Sequence, residues 1–268
     1  MHRTTTTLTS LAAAAAMVAG PLALTTSTAQ AADTTERRAA AYTVTAKVNK
    51  EVVTVGEDVV KVRGKVTPRA AGAKVVLQQR LDGKTKWAVS TKAKVKRNGT
   101  FLLKDEPSVA GEREYRVLKP AGQGIRKGTS KVLAVEVYRW ELLAGRPAGA
   151  NANISAFGPA RIGTKVYSPS LLAIDPSAPG YVEYTLGRLC TDLRTTYALD
   201  DSSETGSTGA VKLLVDGVTK VDQGLVVGQV EESTTDLTGA FRLRYELSSS
   251  ATPVGRTAVA TPEIRCTK

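Results

Sequence analysis

From Tyr42 to the C-terminus, the apolar residues of this chain recur at every second position. "DVVKVRGKV", "AKVVLQQRL" and "REYRVLK" alternate in the first half; "GYVEYTLG", "AVKLLVDG" and "FRLRYEL" do so in the second. A period of two sends successive side chains to opposite faces of a strand, so each run reads as a β-strand with one buried face. Turn signals separate the runs: Leu81-Asp82-Gly83-Lys84, Asn98-Gly99 and Ala110-Gly111 first, then Gly187-Arg188 and Asp216-Gly217. Asn-Gly and Asp-Gly favour the positive φ angles of two-residue hairpins, so each is expected to join two paired strands. "ARIGTKVY" (Ala160–Tyr167) reads as one further strand. No stretch longer than about one turn keeps the roughly 3.6-residue period of a helix. The expected fold class is all-β. The first half carries the strand spacing of an immunoglobulin-like sandwich, without the Cys-Trp-Cys core of true immunoglobulin domains.

The first 31 residues are set apart by composition. A short basic start, an apolar Ala-rich run from Leu8 to Leu24 and small residues at Ala29 and Ala31 read as a signal peptide cleaved after Ala31. The expected product is secreted, soluble and without a transmembrane segment. The single histidine, His2, would leave with the leader. Its loss removes Ser-His and Cys-His nucleophile pairs, His-ligated zinc and a His general base. Cys190 and Cys266, two cysteines in an oxidising setting, are expected to form one disulfide.

Charge divides the chain. From Tyr42 to Tyr138 there are 21 Lys and Arg against 9 Asp and Glu; from Arg139 to Lys268 there are 13 against 14. The simplest organisation is a basic Ig-like domain over 42–138 and a second sandwich over 139–268, joined near the "GRPAGANAN" run. Lys92, Lys94 and Lys96 fall two apart and should share one sheet face. An acidic envelope polymer or acidic glycan would relieve their mutual repulsion; the alternative is a solvated face that guards an edge strand from pairing. Nucleic acid is not an expected partner, because no aromatic platform accompanies the charge.

In the second half, Ile162-Gly163 with Tyr167, then Tyr184-Thr185-Leu186, Asp200-Asp201 and Val211 to Gly217 occur in an order that resembles the NPCBM carbohydrate-binding module, found beside glycoside hydrolases of family 98. The resemblance implies a galactose-binding-like jelly-roll sandwich that recognises galactose-containing glycans. It departs from the family pattern at "SPSLLA", where a Gly and a His are usual. Tyr167, Asp200, Asp201 and Glu204 are the candidate ligand contacts. Asp200 and Asp201 close a strand and open the polar loop "DDSSETGSTG". Adjacent residues of an extended segment face opposite ways, which places the two carboxylates poorly for acting on one bond. A solvated strand end is the first reading, a loop that contacts a ligand or a Ca2+ ion through these carboxylates, Glu204 and main-chain carbonyls the second, and chemistry at the pair the third. Trp140, at the junction, is expected to pack there. The expected function is non-catalytic: glycan recognition by the C-terminal module, or alternatively a structural or adhesive envelope protein attached through its basic half.

Overall fold

The computed structural model describes residues 40–268; the leader expected over residues 1–31 lies outside the described residues. The chain first lays down β1 (Thr43–Val48), β2 (Val52–Thr54), β3 (Val60–Thr67), β4 (Lys74–Leu81), β5 (Ala88–Lys94), β6 (Thr100–Asp105), β7 (Gly111–Lys119), β8 (Gly128–Thr129) and β9 (Leu133–Leu142). β1, β3 and β6 form one antiparallel sheet, and β9, β7, β4 and β5 form the layer facing it. β2 runs parallel to β9 at its margin. This strand order is that of an immunoglobulin-type sandwich. Period-two burial drives it: Val62, Val66, Phe101 and Leu103 from one sheet meet Leu77, Tyr115, Val117 and Val137 from the other in a common core.

The chain continues through a 3-10 turn at Leu143–Gly145 into β10 (Ala148–Ala152), β11 (Ile154–Ile162), β12 (Lys165–Ala173), β13 (Gly180–Thr185) and β14 (Cys190–Leu199). β15 (Thr208–Val215), β16 (Val218–Val226), β17 (Val230–Asp236), β18 (Arg242–Ser249) and β19 (Thr257–Cys266) complete it. β10-β13-β18-β15-β16 make one layer of a second sandwich; β11, β12, β19, β14 and β17 make the other. Val182, Tyr184 and Leu186, expected on one face, are all buried in its core with Leu213, Tyr245 and Ile264. The protein is all-β.

Two local expectations are corrected. Asn98-Gly99 does form a tight turn, with Gly99 at φ 85°. It carries the chain from β5 in one sheet to β6 in the other, because Val95 and Phe101 on either side bury in the core between the layers. Gly187-Arg188, both at φ 63°, does the same between β13 and β14. By contrast, Asp216-Gly217 joins β15 and β16 as a true hairpin. "ARIGTKVY" is two strands rather than one, because Gly163 at φ 60° folds it back on itself between β11 and β12.

The residues between the halves are ordered strand. β9 pairs with β7 in the first sandwich and then, from Arg139 to Leu142, with β19 of the second. One sheet therefore runs through both sandwiches, and the position between Tyr138 and Arg139 falls inside a strand. The "GRPAGANAN" run supplies β10, an edge strand on β13. Cys190 and Cys266 are directly opposed on β14 and β19 and are joined by a disulfide.

Candidate anion-binding surface

The carboxylates singled out in the sequence hold backbone together. Asp200 is buried; one of its oxygens accepts from the Arg161 amide at 2.7 Å and the other from the Ser202 amide at 3.1 Å and hydroxyl at 2.5 Å. Burial pushes this carboxyl up, but the bonds from Ser202 and Arg161 outweigh it and hold it below its ordinary range. Asp201 accepts from the Gly163 amide at 3.1 Å, so both carboxylates converge on the β11–β12 turn. The chain turns after Leu199, which overrides the opposite-facing geometry of an extended segment. Glu204 accepts from the Val254 amide at 2.7 Å.

Tyr167 lies elsewhere on the same hairpin. Its ring packs on a small cluster that includes Ile162, Leu172 and Ala198, and the Lys165 ammonium sits 5.4 Å from its centre. Among the described residues, no group of three or more His, Cys, Asp or Glu is placed to hold a metal ion.

A stronger concentration of unsatisfied charge lies on the outer face of β1-β3-β6. Alternation turns Val60, Val62 and Val66 of β3 inward, which leaves Lys61, Arg63 and Lys65 pointing out. Pairing brings Lys47 of β1 opposite Arg63, and Lys104 of β6 opposite Lys61. The one carboxylate in these three strands, Asp105, turns inward to Ser90 and to Tyr115, whose hydroxyl donates to it at 2.6 Å. Among the described residues, none of the five cations has an ion-pair partner. A shallow groove of about 640 Å³ crosses this face, where Thr45, Asn49 and Thr100 set hydroxyl and amide groups between the charges.

Gly64 gives the groove its floor. A Cβ there would stand 1.9 Å from the Thr45 carbonyl oxygen and 2.5 Å from the Phe101 ring, so only glycine lets the three strands close over the core. Lys61, Arg63 and Lys65 were legible in "VKVRGKV" as the polar half of an alternating run. Lys47 and Lys104 join them through strand pairing, for which the sequence carries no local signal.

A second face carries the lysines the sequence did single out. Lys92 and Lys94 lie exposed on β5, with Lys74 of β4 directly opposite Lys94, on the outside of the other layer. Lys96 lies beyond the end of the strand. Farther along this layer, the Arg80 and Arg116 guanidinium carbons sit 4.6 and 4.2 Å from the centre of the Trp87 ring.

In the C-terminal sandwich, a polar cleft of about 530 Å³ lies on the outside of β14, β17 and β19. Arg194 and Glu263 pair across it at 2.8 Å, and Thr196, Glu232 and Thr234 border it. Trp140 borders the same face with the Arg194 guanidinium 4.1 Å above its ring, a cation–π contact that covers the aromatic.

No protein-family model matches the chain, and no curated protein matches it. The resemblance to NPCBM modules thus has no family match behind it. Among solved structures, the chain is similar to the CBM36-1 domain of a multidomain xylanase from the hindgut metagenome of Trinervitermes trinervoides. The identity is 14%, the TM-score is 0.29, and the match covers 47% of this chain and 95% of that one.

Proposed function

We propose that this chain is an exported, non-catalytic protein that binds an acidic polysaccharide of the uronic-acid type through the outer face of β1-β3-β6. The observation that carries it is the set of five outward cations, Lys47, Lys61, Arg63, Lys65 and Lys104, with no carboxylate among them. Along β3 these charges recur about every 6.8 Å, and across strands about every 4.8 Å. Such a lattice repels itself, and a polymer with regularly spaced anions relieves that repulsion at several points at once. The Thr45 and Thr100 hydroxyls donate to the Lys65 carbonyl and the Asn98 side chain and keep lone pairs that can accept from sugar hydroxyls between the charged groups. The face presents no aromatic ring, which disfavours single-stranded nucleic acid. The disulfide favours an oxidising compartment, in keeping with the leader expected at the N-terminus. In this account Asp200 and Asp201 position the β11–β12 turn, Glu204 holds the β18–β19 connection at Val254, and Tyr167 covers the adjacent cluster.

A second reading, glycan recognition by the C-terminal sandwich, has one observation in its favour: the cleft bordered by Arg194, Thr196, Glu232 and Glu263. It predicts uptake of neutral glycans. The two readings separate on one polymer in two chemical forms, polygalacturonate and its methyl ester. The proposal expects the full chain to bind the acid form and to leave the ester unbound. Equal binding to both forms would refute it in favour of the cleft.

A further inference from the structure

We propose that the N-terminal sandwich is bivalent and bridges two strands of the acidic polymer, one on each outer face. This rests on the proposed function. The second face is the outside of the β4-β5-β7 layer, separated from the first by the hydrophobic core. Lys74 and Lys94 face each other directly across β4 and β5, and Lys92 lies two residues along from Lys94 on the same side. All three are exposed, and among the described residues none is in an ion pair.

The arrangement of like charges is hard to account for by edge protection alone. A lysine on an edge strand discourages pairing, but directly opposed like charges on neighbouring strands are destabilising. Lys74 is on β4, an inner strand that pairs with β5 on one side and β7 on the other. Lys74 itself is paired with Lys94 alone, since the ladder with β7 begins at Val76, and its charge adds to the repulsion across β4 and β5. The same layer continues to Trp87, whose ring carries the guanidinium groups of Arg80 and Arg116 at 4.6 and 4.2 Å from its centre. Arg80 pairs with Glu114, and Arg116 donates to the Gln78 side chain at 2.8 Å, so these two cations are already engaged at the end of β5 away from the lysines. Three exposed, unpaired cations on one side of the sheet offer the carboxylates of an acidic polymer several points of contact.

Two such faces on opposite sides of one sandwich cannot be filled by a single stiff polymer strand, so the second face takes a second strand. The test uses the full chain with short oligogalacturonate to count sites and with long polygalacturonate to detect bridging. Titration calorimetry is expected to give two short oligomers per chain. Light scattering with the long polymer is expected to rise and then fall as the protein-to-polymer ratio increases.

The triple variants Lys61→Glu/Arg63→Glu/Lys65→Glu and Lys74→Glu/Lys92→Glu/Lys94→Glu should each bind one oligomer and lose the scattering signal, with circular dichroism confirming that both remain folded. One oligomer per wild-type chain, with the second triple variant changing neither stoichiometry nor scattering, would overturn bivalence while leaving the proposed function standing. No oligomer bound by wild type would overturn both.

Discussion

The guanidinium carbon of Arg265 lies 4.5 Å from the centre of the Tyr138 ring, at the point where one sandwich passes into the other. The same guanidinium donates to the Thr54 hydroxyl on β2 at 2.9 Å and to the Asp192 carboxylate on β14 at 3.2 Å. One side chain thus ties the edge of the first sandwich to the face of the second. Burial, and then the hydrogen bond with Glu136, push the Tyr138 phenol up to about 12, so it stays neutral beneath the cation across the physiological range.

Arg265→Ala removes this tie and leaves the Asp192 carboxylate without its partner. The expected cost is about 2 kcal/mol of stability in urea unfolding. Arg265→Lys should recover part of it, since an ammonium keeps the charge but cannot reproduce the planar fork. A loss below about 0.5 kcal/mol for Arg265→Ala would show that β9–β19 pairing alone sets the joint.

The Cys190–Cys266 bond spans a sequence separation of 76 and anchors the last strand. On loop-entropy grounds, unfolding measured after reduction should show a loss of about 4 kcal/mol. An unchanged midpoint under reducing conditions would mean that the ladder between β14 and β19 suffices without it.

Asp200 makes a pH-dependent contribution. Although burial raises its carboxyl, the hydrogen bonds from Ser202 and Arg161 leave it below 3.8 in the folded protein. The folded state therefore binds this proton less tightly than the unfolded chain does. Its stabilisation is complete above the unfolded value and is lost as pH falls through the lower folded value. Stability should decline below about pH 4, and Asp200→Asn should flatten that decline while costing about 1 to 2 kcal/mol at neutral pH. An acid limb of equal slope in the variant would show that Asp200 is not among the carboxylates responsible.

At Gly64 the contact is with backbone, which cannot move aside as a side-chain tip would. Gly64→Ala should cost about 1 to 3 kcal/mol, read by thermal unfolding. An unchanged Tm would mean that β1 can shift away from β3 without penalty.

Strand identity was legible wherever one face of a strand is buried, because burial imposes the alternation seen in "VKVRGKV" and "GYVEYTLG". Pairing was less so. Asn98-Gly99 and Asp216-Gly217 look alike in sequence, yet one turns between layers and the other within a layer, and the core residues around each turn decide which. The continuity of β9 could not be read locally, since its second half pairs with the last strand of the chain. Asp200 and Asp201 stood out as a pair, but their task depends on amides about 40 residues away at Arg161 and Gly163. The basic groove was half visible, as a strand with cations on one side; its completion by Lys47 and Lys104 required the sheet.

The most direct test of the central claim is the affinity of the Lys61→Glu/Arg63→Glu/Lys65→Glu variant and of the wild-type chain for polygalacturonate across a salt series, with Arg194→Ala as the control in the C-terminal cleft. The account predicts that wild-type affinity falls at least about tenfold between roughly 0.05 and 0.2 M salt. It also predicts that the triple variant binds at least about tenfold more weakly at low salt, while Arg194→Ala matches wild type. Salt-insensitive binding that survives in the triple variant and disappears in Arg194→Ala would contradict it.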